Sequence, residues 1–164
     1  MKKLLSLLLL ITVMAVSLFG CNKTPKCFSG EWKFSSISKV ELVPDLDQTT
    51  MDYVKQEYNA EDEAGIVANA LDKFVTDGTF APCYVKFDKK YTYTYDPAMD
   101  REATWQFYQL TEDKGFISFY AELDASAGNP DPVLYPDLVY NAEADTMYMT
   151  INYLSFMVTV ALVR

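Results

Sequence analysis

Three cysteines (Cys21, Cys27 and Cys83) and 23 carboxylates stand out among the side chains of this 164-residue chain that could carry covalent or acid–base chemistry. Histidine is absent altogether. That removes at once the imidazole-activated serine or cysteine nucleophile, the histidine general base and the histidine-ligated zinc site. No Cys-x-x-Cys pair offers redox exchange. None of the carboxylates is paired in an apolar stretch that would raise its pKa into the working range of a general acid. Asp45 with Asp47, and the Asp96–Asp100 stretch, suggest calcium by residue type. Neither reproduces the twelve-residue loop with a central glycine and a terminal glutamate, and turn or cap roles suit them better. The residue types point away from an enzyme, a metal centre or a cofactor, and towards a protein that binds.

The elements that hold these residues begin with a leader. Lys2 and Lys3 precede an uncharged run from Leu4 to Phe19. It is shorter than the roughly 20 apolar residues of a membrane span and has the length of a secretory apolar region. The run ends in Leu18-Phe19-Gly20-Cys21, which resembles the lipobox of bacterial lipoproteins, with a small residue directly before the cysteine and a bulkier Phe19 than is usual. The resemblance implies a signal peptide over residues 1–20 and a diacylglycerol thioether with an N-acyl chain on Cys21. Two acyl chains anchor stably where one holds only marginally. The body is therefore expected to be tethered to a membrane without crossing it. Residues 21–29 form the lipidated tether. Its Lys23 and Lys26, with no acid beside them, favour a periplasm-facing anchor in the outer membrane of the cell envelope. With Cys21 lipidated, Cys27 and Cys83 remain as an even pair in an oxidising compartment. A disulfide between them is the expectation, and two buried thiols that never meet is the alternative.

Cleavage leaves 144 residues, enough for one domain with a real core. The formal charge is −9 for the whole chain and becomes −11 once Lys2 and Lys3 are lost. Such a surface repels nucleic acid and anionic headgroups and suits a cationic partner.

From Trp32 onward the chain reads as strands with one interruption. Glu31–Val43 is long enough to need a bulge, because Trp32 and Phe34 share a phase that Ile37 breaks, and Pro44 ends it. A helical insert over 49–77 follows. Met51, Val54 and Tyr58 recur at helical spacing, as do Ile66, Val67, Ala70, Leu71, Phe74 and Val75. Thr49 and Asn59, each with an aspartate three residues later, read as N-caps, and Gly78 as a stop. Two helices, or one broken near Asn59, are predicted. Residues 45–77 hold nine acids against two lysines, so most of the negative charge sits here. Alternation then resumes in seven further runs ending at Arg164. Pro136 marks an edge or a bulge, and Tyr91, Tyr93 and Tyr95 share one face while Thr92 and Thr94 take the other. About eight strands at even spacing predict a mainly β fold, a sandwich or an antiparallel meander barrel.

Gly30-Glu31-Trp32, opening the first strand of such a chain, is similar to the Gly-x-Trp of lipocalins. Together with the lipobox and the short tether, residues 30–164 resemble the lipocalin-like lipoproteins of Gram-negative bacteria. The resemblance implies that Trp32 plugs one end of an eight-stranded barrel and that Arg164 lies across it as a cation–π partner. It departs from the family in lacking the mid-chain Thr-Asp-Tyr signature and in carrying its helical insert after strand one.

Two functions are compatible with these residues. In the first, the barrel takes a small apolar molecule, lined by Phe34, Val85, Phe87, Trp105, Phe107, Ile117, Phe119, Met147, Met149 and Ile151, none of them charged. The same stripe equally describes a filled core. In the second, the protein is an interaction module for an envelope protein, using the acidic insert and the tyrosine row. Facing solvent, that row is a recognition surface; facing inward, it is core.

Overall fold

The computed structural model describes residues 30–88, 91–113, 116–123 and 134–164, with side chains described outside 106–137. The chain is mainly β: antiparallel strands curl about one core, and two helices form a single insert. Strand β1 (Gly30–Leu42) leads into α1 (Gln48–Glu57) and α2 (Glu63–Asp77). Strands β2 (Tyr84–Phe87), β3 (Tyr91–Asp96), β4 (Arg101–Asp113), β5 (Phe116–Leu123), β6 (Leu134–Asn141), β7 (Thr146–Tyr153) and β8 (Phe156–Val163) follow. Each strand pairs antiparallel with the next, and β8 also pairs with β1.

The pairing is short between β1 and β2, which meet only over Gly30–Lys33 and Tyr84–Phe87. From Lys33 onward β1 pairs with β8 as far as Leu42. Two register shifts, at Phe34/Ser36 and Ile37/Lys39, flip the side-chain phase twice. Each bulge adds one residue and so moves the following side chains to the other face. Trp32, Phe34, Ile37, Val40 and Leu42 therefore all reach the core. A further shift between Phe119/Ala121 on β5 leaves Pro136 of β6 outside the paired register, where its missing N–H costs nothing.

The insert is two helices. Their N-caps are Asp47, whose carboxylate accepts from the Thr50 N–H at 2.7 Å, and Asp62, which accepts from Gly65 at 2.8 Å. These replace the expected Thr49 and Asn59. Thr49 lies inside α1, and Asn59 breaks the chain at φ 48° after Tyr58 has closed α1. A carboxylate at the cap also meets the positive end of the helix dipole, which a hydroxyl does not exploit. Gly78 closes α2 at φ 65°, a left-handed conformation that favours glycine.

Helix α2 buries Ile66, Ala70 and Phe74, one residue per turn, and packs on β1. Leu71 and Val75, whose spacing also assigned them to the packed stripe, are exposed. The insert sits across the strand ends where β1 finishes and β7 turns into β8. Tyr153 and Phe156 close that turn, and Tyr58, Phe74 and Phe80 meet them in edge-on contacts with centroids 5.1–5.6 Å apart.

Candidate functional site

The far end from the insert is organised by Trp32, which has no exposed surface. The Arg164 guanidinium carbon lies 4.4 Å from the centre of its ring system. Arg164 also reaches Asp145 at 3.7 Å. The Asp145 carboxylate accepts from the Tyr140 hydroxyl at 3.0 Å, and the Tyr140 ring meets Trp32 edge-on at 5.6 Å. Four side chains thus form a closed circuit over this end. Tyr140 and Asp145 were not legible as part of it, because the β6–β7 turn that brings them together carries no motif.

Along the interior wall, Val85, Phe87, Trp105, Met147, Met149 and Ile151 are buried, and Phe34 is half-buried. The side chains of Phe107, Ile117 and Phe119 lie outside the described residues. Trp32, Val85, Met147, Met149, Val160 and Leu162 each show zero exposure, so no water-sized space adjoins them. This part of the wall is filled core.

Two interior positions are polar, and their identity settles which way β3 faces. Thr92 and Thr94 are buried at 2% and 3% exposure, while Tyr91, Tyr93 and Tyr95 are half-buried on the outer face. Thr92 pairs across the sheet with Trp105 and Thr94 with Ala103. The buried indole N–H of Trp105 donates to Thr94 Oγ1 at 2.7 Å. Small threonines fit beside that indole and supply its acceptor, where tyrosines would overfill the space. The hydroxyl of Thr92 has no hydrogen-bond partner among the described residues.

Cys83 precedes β2 in the core at 1% exposure. The structure records it as a free thiol, so the expected bridge to Cys27 does not stand on the described residues, and Cys27 itself lies outside them. The same holds for Cys21 and the rest of residues 1–29. Burial, helped by the nearby charge of Asp96, pushes the Cys83 thiol up to about 12. A thiol so protonated is a poor nucleophile. Folded protein at pH 8 is expected to leave Cys83 unreacted with an alkylating reagent that labels it fully in denaturant, read by mass. Rapid native labelling would contradict the burial.

The outer face of β2, β3 and β4 carries the tyrosine row. Tyr84 lies tilted against Tyr95 with centroids 6.3 Å apart. The Tyr84 hydroxyl donates to Glu102 and that of Tyr95 to Asp100, so each ring is held by a carboxylate from β4 or its approach. Lys86 lies 5.9 Å over the Tyr93 ring. Burial and the bond to Glu102 push the Tyr84 phenol up to about 12. Both Tyr84 and Cys83 are raised from ordinary values of 10.0 and 9.0, so the folded state holds protons that the unfolded chain has released. Their contribution to stability is therefore complete below pH 9 and is lost as pH climbs towards 12. Denaturation midpoints measured from pH 8 to 12 are expected to fall, and Tyr84→Phe to flatten the part of the fall above pH 10. An unchanged slope in Tyr84→Phe would remove Tyr84 from this account.

Among the described residues no three potential ligands converge to hold a metal ion. Asp96 accepts from the Ala98 N–H at 2.9 Å, a turn role. No helix among the described residues is long and apolar enough to cross a membrane. In comparisons with known proteins, no family model, curated protein or solved structure matches the chain.

Proposed function

We propose that this chain is a lipid-anchored, lipocalin-like lipoprotein of a bacterial envelope, an eight-stranded barrel that works as a protein-recognition module. Its recognition surface is the outer face of β2–β4. The observation that carries this reading is the outward phase of Tyr91, Tyr93 and Tyr95 beside Tyr84. Tyrosines give wide, rigid contact at little entropic cost, and Tyr84 and Tyr95 are already pinned by Glu102 and Asp100. The filled wall around Met147 and Met149 supports recognition on the outside over storage within. Cys21 is the proposed anchor, and mass spectrometry of the membrane fraction should find it acylated at the N-terminus.

A second reading, a small apolar ligand inside the barrel, is favoured by one observation. The buried Thr92 hydroxyl lacks a partner among the described residues, and a guest with a polar tip would supply it. A photo-crosslinking residue placed at Tyr93 in living cells separates the two. The module reading expects a discrete protein adduct from Tyr93 and none from Tyr148, an outer position on β7. No adduct, together with an apolar compound extracted from the purified protein and seen in its native mass spectrum, would transfer the case to the second reading.

A further inference from the structure

A groove of about 310 Å³ lies between the helical insert and the β7–β8 turn. Its floor is apolar and buried: Val54, Tyr58, Phe74 and Phe156. Its flanks are Tyr53 and Leu154, which remain 64% and 77% exposed. Leu154 is the odd residue here. It takes φ 54° in a two-residue hairpin turn, between the paired Tyr153 and Phe156, at a place where glycine is usual. Asp45, Asn59, Asp100 and Asp145, the other left-handed residues apart from glycine among those described, belong to types that tolerate this conformation. A leucine held there in the open gains neither backbone ease nor burial from its own chain. A covering partner would supply the burial.

The charge around the groove says what kind of partner. Glu57 and Asp77 line it, within a stretch whose nine acids face two lysines. The one lysine in the lining, Lys73, is already engaged, 3.0 Å from Glu57 and 5.4 Å over the Tyr58 ring. It shows how an ammonium is received here, between a carboxylate and an aromatic face. Asp77 makes no salt bridge among the described residues. We propose that this groove docks a cationic segment of a partner protein, with an apolar side chain set between Tyr53 and Leu154 and a basic one at Asp77. The site uses no residue of the tyrosine face and does not depend on it.

The test is fluorescence anisotropy of the purified protein with two labelled peptides of equal length, one of leucine and lysine and one of leucine and glutamate. The lysine peptide is expected to bind, more weakly as salt rises, and the glutamate peptide not to bind. Asp77→Asn should weaken the lysine peptide about tenfold, the effect of losing one partly desolvated ion pair, and Tyr53→Ala combined with Leu154→Gly by more. Leu154→Gly should melt no lower than the parent, because glycine adopts the turn freely, so its lost binding cannot be ascribed to unfolding. Asp72→Asn, an exposed acid of α2 outside the groove, and Tyr93→Ala on the tyrosine face should leave binding unchanged. Equal binding of both peptides, an Asp72→Asn effect as large as that of Asp77→Asn, or indifference to the groove variants would each overturn the proposal.

Discussion

Trp32→Ala is expected to destabilise the protein by about 3–5 kcal/mol, the range for deleting a buried aromatic side chain. The position is fully buried at the end of the strands, so truncation leaves a void that neighbouring rigid strands cannot collapse to fill. The loss extends beyond the ring. Tyr140 loses its edge-on partner and Arg164 the face beneath its guanidinium, while Asp145 stays bound to both. Arg164→Ala, by contrast, removes a side chain that is 45% exposed and should cost much less. Urea denaturation of the two variants measures the difference. A Trp32→Ala cost below about 1 kcal/mol would mean that the end of the sheet is not closed on this residue.

What the sequence carried well was periodicity. Strand alternation marked the strands, and the i, i+4 apolar spacing marked both helices, because each period is imposed by burying one face. The direction of β3 was a different matter. Tyr91-Thr92-Tyr93-Thr94-Tyr95 alternates perfectly, yet alternation alone does not say which phase is inside. Hydrophobicity favours tyrosine, and volume favours threonine. The decision rests with Trp105, which already fills the interior and needs a hydroxyl acceptor from across the sheet.

The helix caps illustrate a second limit. Asp47 and Asp62 compete locally with Thr49 and Asn59, and the carboxylates win because they bond the free N–H groups of Thr50 and Gly65 and also meet the positive end of the helix dipole. Leu71 and Val75 belong to the same apolar arc as Phe74, but only the narrower stripe of Ile66, Ala70 and Phe74 is buried, and the arc's width does not say which part of it is covered. The Trp32 circuit shows a third limit. Its tryptophan and arginine resembled a known pattern, whereas Asp145 and Tyr140 are ordinary turn and strand residues until the β6–β7 hairpin is built.

Phe74→Ala should be the second large loss, again on the order of 3–5 kcal/mol. Phe74 is 3% exposed and meets four other rings: Tyr58 of the α1 end, Phe80 of the following turn, and Tyr153 and Phe156 of the β7–β8 hairpin. These contacts come from three separate parts of the chain, so the residue joins the insert to the sheet and does not merely line a helix. Hydrophobic burial alone accounts for part of the cost, and edge-on aromatic pairs add about 0.5–1.5 kcal/mol each beyond it. A double-mutant cycle between Phe74→Leu and Phe156→Leu should therefore show a coupling of about that size, since leucine keeps most of the volume and removes the ring geometry. Hydrogen exchange gives the decisive readout. If the insert unfolds with the sheet, amides of α2 such as those of Ala70 and Phe74 exchange only through global unfolding in the parent. In Phe74→Ala they then exchange through a local opening that leaves β7 and β8 protected. Parent α2 amides that already exchange orders of magnitude faster than those of β8 would mean that the aromatic cluster does not bind the insert to the sheet, and the expected cost of Phe74→Ala would fall with it.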